Sequence, residues 1–269
     1  MDIFDHILSS RNQSMIYAIS DVHGCYEQLK QRINQIKSEL GKEGNRLILL
    51  GDYIDRGKDS YKVLSFIRSL QEEYGTDKII ALKGNHEEWF LEFLENHDDV
   101  WLAEDTNYNT SKTFLSEEEN HILQDIVNKR EANTYVYDCI KKNHKDLIQW
   151  LKKMPYYYET NTQIFVHAGV EEEIPEEEIE WCTLATPEYI FTGKFPPTTG
   201  KFFKDIIVGH TSVAVVSNNE HMTDIYYDGA SHYYIDGSVE TTGKLLCLAY
   251  DEKKKVYYQL DESGERKSI

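Results

Sequence analysis

Along this chain, short apolar runs end again and again in a glycine or a charged residue. Met15–Ser20 (MIYAIS), Arg46–Leu50, Lys78–Leu82 (KIIAL), QIFV before His167 and DIIV before Gly209 each have the length and aliphatic content of a buried strand. Between the first three lie stretches with apolar positions three and four apart. One is helix-like through Ile36, one runs from about Asp59 to Tyr74, and one fills the second half of KGNHEEWFLEFLENH. Residues 97–152 are rich in charge with the same spacing, and predict helices joined by turns, inserted in a single domain spanning 1–269. Further on the pattern changes. TDIYYDG, SHYYIDG, KLLCLAY and KVYYQL are short β-rich runs, and the turns Asp228-Gly229 and Asp236-Gly237 predict antiparallel hairpins. Strand–helix alternation followed by an antiparallel section predicts an α/β core whose sheet is backed by a second, mixed sheet.

Composition narrows the class. The 269 residues are 40% hydrophobic and 28% charged, enough for one large globular domain or two small ones. A formal net charge of -18 argues against a generic nucleic-acid binder, which needs a basic face. It also sets a puzzle for any anionic substrate. No apolar run approaches the roughly 18 residues of a membrane span, and MDIFDHILSSRNQS lacks the basic region and long apolar core of a secretory signal. The four cysteines are scattered without a CxxC pair, so neither a zinc finger nor a disulfide framework is expected. The expectation is a reduced, cytoplasmic protein with no membrane partner.

The chemistry sits where the strands stop. Five apolar runs end in potential metal ligands: DVHG at Asp21 and His23, GD at Asp52, GNHE at Asn85, HAG at His167, and GHT at His210. In open α/β sheets, ligands bind beyond the carboxyl ends of the strands, so these six residues can converge on one crevice. Six are too many for one zinc ion; they suit two divalent cations about 3.5–4 Å apart with one carboxylate between them. Each motif alone has an ordinary reading. DxH is a capped turn, GNHE an Asn N-cap with glutamate in the first helical turn, and HAG or GHT a buried histidine bonded to backbone. Five in order, each at a strand end, favour the metal centre.

DVHG, GDYIDRG, GNHE, HAG and GHT together resemble the signature set of the metal-dependent protein serine/threonine phosphatases within the calcineurin-like metallophosphoesterases, in their compact bacterial and phage branch. The stretch IDGSVETTGKLLCLAYD resembles the family's end. The resemblance implies a four-layer sandwich, two mixed β-sheets flanked by helices. It places Asp21, His23 and Asp52 on one metal and Asp52, Asn85, His167 and His210 on the other, with manganese as the first choice and iron or zinc as alternatives. A hydroxide bridging the ions would attack phosphorus directly. His86 then suits the general acid, Asp55 its charged partner, and Arg56, beside Asn85, the fork that grips phosphate oxygens. The cations carry more positive charge than Asp21, Asp52 and a hydroxide cancel, so an acidic body and an anionic substrate are compatible.

The family usually supplies a second phosphate-gripping arginine between HAG and GHT, and here no arginine occurs between Arg130 and Arg266. Lys194, Lys201 or Lys204 could stand in, or Arg56 could act alone. EEEIPEEEIE, residues 171–180, reads either as a solvated acidic loop or as a gate favouring basic flanks in a phosphopeptide. The Tyr156–Tyr158 cluster reads as strand or core packing ahead of a substrate platform. Three functions compete. The first is a phosphomonoesterase acting on phosphoproteins or small phosphoesters. The second is a pyrophosphohydrolase of dinucleoside polyphosphates or capped RNA ends, a branch that often lacks an aspartate at the place of Asp55. The third is a non-catalytic binding module, against which every filled ligand position speaks.

Overall fold

The computed structural model describes residues 14–269; the reading of the first 13 residues as no secretory signal lies outside them. Two sheets face each other. The first has the order β11 (Arg266–Ser268), β10 (Val256–Leu260), β9 (Leu248–Asp251), β1 (Met15–Ile19), β2 (Arg46–Leu49) and β3 (Ile79–Ala81). The second has the order β4 (Tyr157–Glu159), β5 (Gln163–Val166), β6 (Asp205–Val208), β8 (His232–Tyr234) and β7 (Tyr226–Tyr227). Strands β1, β2 and β3 are parallel, as are β5, β6 and β8, with antiparallel strands at the margins. Both sheets are therefore mixed.

The alternation of side chains explains the layering. On β1, Met15, Tyr17 and Ile19 pack into a cluster with the helices Tyr26–Leu40 and Ser60–Tyr74, while Ile16 and Ala18 pack into a second cluster with residues of the facing sheet. A strand buried on both faces needs apolar residues at every position, which is why MIYAI reads as a continuous run. The helices bury Leu29, Ile33, Ile36 and Leu40, and Val63, Leu64, Ile67 and Leu70, at the expected three-and-four spacing. Short helices at Cys182–Ala185, Glu188–Gly193 and Val213–Val216 add Cys182, Phe191 and Val213 to the second cluster. The charge-rich stretch forms helices from Trp101 to Lys152, and Trp101, Phe114, Val136, Ile140 and Leu151 join the first cluster. That continuity is why we read it as an insertion in one domain.

The carboxyl-terminal part departs from expectation at two places. Asp228-Gly229 does turn a hairpin, with Asp228 Oδ1 accepting from the amides of Ala230, Ser231 and His232. Asp236-Gly237 does not. Strand β8 runs parallel to β6, and after Gly237 the chain makes the short helix Val239–Thr242 and crosses to the first sheet, where β9 pairs with β1. Leu246 and Leu248 explain the crossing, since both are buried between the sheets rather than beside β8. Strand β11 has no counterpart in the sequence reading, because RKS is an exposed polar run that offers no hydrophobic period.

The loops after β2 and β3 approach so closely that one glycine is compulsory. Gly51 has φ +104, and a Cβ there would lie 2.5 Å from the Gly84 nitrogen. Gly51→Ala is therefore expected to cost about 2 kcal/mol or more from backbone strain and collision, measured as the urea midpoint of the metal-free protein. An unchanged midpoint would mean that the two loops part freely.

Candidate metal centre

The carboxyl ends of β1, β2 and β3 from one sheet and β5 and β6 from the other meet at one end of the sandwich. Asp52 lies at the middle and is 2% exposed. Its two oxygens face different ways. Oδ2 is 3.5 Å from His23 Nε2 and 3.8 Å from His86 Nε2, whereas Oδ1 is 3.4 Å from His167 Nε2. Two clusters of ligand atoms, each within 4.8 Å, share this residue: His23, Asp52 and His86, and Asp52, His167 and His210. Asn85 joins the second, its Oδ1 2.9 Å from His167 Nε2 and 3.0 Å from His210 Nδ1. A carboxylate turned to two clusters at once has the geometry of a bridge.

Asp21 stands slightly apart from both. Its two oxygens each accept from the His210 amide at 3.1 Å, and Oδ2 also accepts from the Ser20 hydroxyl. The motif is therefore assembled, but with the Asp21 carboxylate held by the strand end of β6. Asn85 and His86 diverge around Asp52: they open the helix Asn85–Asn96, and the His86 amide donates to Asp52 Oδ1 at 3.2 Å. Asn85 faces the His167 side and His86 the His23 side.

Second partners fix the imidazoles. His23 Nδ1 bonds the Ile54 carbonyl at 2.8 Å, and His167 Nδ1 bonds the Leu50 carbonyl at 2.9 Å. Donating from Nδ1 leaves Nε2 of each ring turned toward a carboxylate oxygen. His23 Nε2 is buried with no hydrogen-bond partner. A bare ring nitrogen facing a carboxylate oxygen suits a cation between them, and this orphaned atom fits a divalent ion. His86 is fixed differently. Its Nδ1 lies 2.7 Å from Asp55 Oδ2, and Asp55, fully buried, also accepts from the indole of Trp101.

The electrostatics follow this geometry. Burial pushes the Asp52 carboxyl up, but His167, His86 and His23 outweigh it and hold Asp52 well below the usual carboxylate range. Burial opposes protonation of His167 and His86, yet Asp52, aided at His86 by Asp55, lifts each to about 9. Burial lowers His23, and burial together with His167 lowers His210 to about 4. Asp21 is raised to about 6 by burial and by Asp52. Protons on His167 and His86 thus occupy the role that metal cations would take.

Six of the sequence-predicted residues are left-handed: Asp21, His23, Asp52, Asp55, Arg56 and His210, with φ between 43° and 69°. For non-glycine residues this conformation costs about 1 kcal/mol or more each. Something must brace it. Glu87, fully buried, accepts from the amides of Asp52 and Tyr53 at 2.8 Å and of Gly84 at 3.0 Å. It was visible only as the last letter of GNHE. Asp236, buried beside Asp21 and raised to about 8 by burial and that neighbour, gave no signal beyond a turn.

Arg56 is exposed at the rim and its Nη1 donates to Glu240 Oε1 at 3.1 Å. Two of the candidate stand-in lysines are partly buried and already paired. Lys194 bonds the Val170 carbonyl and Glu172 at 2.6 and 2.7 Å, and Lys204 bonds Glu159 and the Thr160 carbonyl at 2.6 and 2.8 Å. Lys201 is exposed. Within the acidic stretch Glu172 is pinned, since it also lies 3.1 Å from His232 Nε2, whereas Glu173, Glu177, Glu178 and Glu180 are exposed. Tyr157 and Tyr158 form β4 and Tyr156 stacks on Phe191, so this cluster is packing.

A pH prediction follows from the histidines. His167 and His86 ordinarily titrate near 6.5 and are raised to about 9 in the folded chain. Their contribution is complete below about pH 6.5 and lost as pH rises through about 9. The metal-free protein is expected to lose thermal stability across that interval, and manganese loading at pH 7 to release about one proton per chain, from His167. A flat stability profile with no proton release would refute the assignment of those protons.

The chain is similar in sequence and in fold to several known proteins. The chain is 30% identical over 156 residues to a symmetrical bis(5'-nucleosyl)-tetraphosphatase of Proteus mirabilis (strain HI4320), covering 57% of this chain and 44% of that protein. It is 34% identical over 119 residues to the enzyme of the same name from Buchnera aphidicola subsp. Acyrthosiphon pisum (strain 5A), covering 38% of this chain and 40% of that one. The chain thus spans less than half the length of these curated relatives. In fold it is similar to the cold-active protein-tyrosine phosphatase of a psychrophilic Shewanella, with TM-score 0.56 and 18% identity over 95% of this chain and 80% of that one. Residues 14–251, which include all five strand-end motifs, match the calcineurin-like phosphoesterases, and the chain belongs to that family.

Proposed function

We propose that the chain hydrolyses dinucleoside polyphosphates with two divalent ions, for which manganese is our first choice. The shared carboxylate of Asp52 between two ligand clusters carries the two-ion reading. Asp21, His23 and Asp52 would hold one ion, and Asp52, Asn85, His167 and His210 the other. When bound, such ions polarise phosphate oxygens and bring the pKa of a water toward neutrality. The chain's own residues do the rest. Arg56 at the rim offers donors to a phosphate chain, sharing itself with Glu240. His86 presents Nε2 to the centre with Asp55 behind it, so that it holds a proton beside the leaving oxygen.

The names of the curated relatives support the substrate class. So does the surface: the segment whose Phe191 carbonyl receives the Ala168 amide at 2.7 Å, beside His167, exposes Tyr189 and Phe195. Aromatic faces of this kind stack nucleobases. A second reading, a phosphomonoesterase of the protein serine/threonine phosphatase type, is favoured by the Asp55–His86 pair. An alkoxide leaving group needs a proton, whereas a departing nucleoside diphosphate leaves as an anion without one.

The two readings part on one experiment. With manganese, kcat/KM is expected to be higher for diadenosine tetraphosphate than for a phosphoserine peptide, and Asp52→Ala is expected to abolish both activities and metal loading. His86→Ala should cost roughly 10²–10⁴-fold on the peptide and far less on the tetraphosphate. Peptide turnover exceeding tetraphosphate turnover would replace the first reading by the second.

A further inference from the structure

Asp55 is a carboxylate with no exposure, in left-handed backbone at φ 69, with its amide tied to Ser60 Oγ at 3.1 Å. A buried charge of this kind needs every oxygen occupied. Its Oδ2 faces His86 Nδ1 at 2.7 Å. The remaining contact comes from 46 residues away: Trp101 Nε1 lies 3.0 Å from Oδ2 and 3.2 Å from Oδ1. Trp101 is itself fully buried, so its N–H must find an acceptor, and the one it meets is ionised.

The indole is held by the helix that carries His86. Phe90 and Phe93 of Asn85–Asn96 flank it at ring separations of 4.8 and 5.2 Å, and the chain folds back after His97 to bring it there. One element therefore references both donors to the same carboxylate, the imidazole from its first turn and the indole from its far side. Without the indole, Oδ1 has no other described side-chain partner, and the carboxylate can rotate away from the line between His86 Nδ1 and Nε2.

We infer that Trp101 is a positioning residue for the Asp55–His86 pair, fixing the carboxylate so that His86 keeps its Nδ1–H on Asp55 and its Nε2 toward the centre. The inference rests on the reading of His86 as the proton donor. Trp101 acts through Asp55 and touches no reacting atom.

Two measurements test it. In protein carrying ¹⁵N-labelled tryptophan, Asp55→Asn should move the indole N–H resonance that Trp101→Phe deletes; an unmoved resonance overturns the inference, whether or not the enzyme is active. In the manganese-loaded enzyme, Trp101→Phe should retain its metal and its KM. It should lower kcat by about ten-fold or more on phenyl phosphate, as for loss of a hydrogen bond to a charged group. On p-nitrophenyl phosphate, whose leaving group needs no proton, the loss should be small, and His86→Ala should show the same pattern. Equal losses on both esters in Trp101→Phe alone overturn the positioning role. Equal losses in His86→Ala as well would instead overturn the reading of His86 as proton donor. If Trp101→Phe does not fold, the response of the wild-type indole spectrum to Asp55→Asn still decides whether Trp101 holds Asp55.

Discussion

The structure is organised around a carboxylate that cannot be left alone. Asp52 is buried at the meeting point of two sheets, and a buried ionised carboxylate is stable only when cations or donors occupy its oxygens. Three histidine nitrogens lie between 3.4 and 3.8 Å from it, a helix amide donates to it, and Glu87 holds its backbone. In the metal-free chain protons on His167 and His86 offset part of this charge, and divalent ions would fit the arrangement better, because His23 Nε2 is left with no hydrogen-bond partner. The same demand aligns the Asn85–Asn96 helix, whose amino end, carrying partial positive charge, points at Asp52.

Strain is the cost of convergence. Five strands deliver side chains to one point only if the chain turns sharply as it leaves each strand, and six site residues adopt left-handed backbone to do so. Such conformations persist when the surroundings over-determine them. Here the surroundings are two apolar clusters, one on each face of the first sheet, which lock the strands, and Glu87, which locks the loops of β2 and β3 together. Tyr53 adds to the lock by donating to the Leu82 carbonyl at 2.7 Å.

What could be read from the sequence was what repeats locally. Apolar runs of strand length, their abrupt polar ends and the helical spacing between them are short-range patterns, and they indicated the sheets and put six candidate ligands at the strand ends. What could not be read depends on distance. Glu87 resembles any first-turn glutamate until the loop of β2 is laid over it. Trp101 reads as one more apolar residue in a helical stretch until the chain folds back on Asp55. Glu240 sits in the short helix Val239–Thr242 and meets Arg56 only across 184 residues. The crossing after Gly237 was misread because Asp-Gly marks a turn without saying which strand comes next.

The substrate question reduces to the leaving group. Both readings use the same two clusters and the same attack on phosphorus, and differ in what departs. Cleaving an anhydride releases a stable anion, for which Arg56 and an imidazolium supply charge. Cleaving an alkyl ester releases an alkoxide, for which the imidazolium must supply its proton. A chain that served anhydrides alone would have little use for burying Asp55 behind His86, since a buried carboxylate is expensive to maintain. The Asp55–His86 contact, with the Trp101 indole on the same carboxylate, is the arrangement that would serve an alkoxide, and it is what keeps the phosphomonoester reading beside the proposed one.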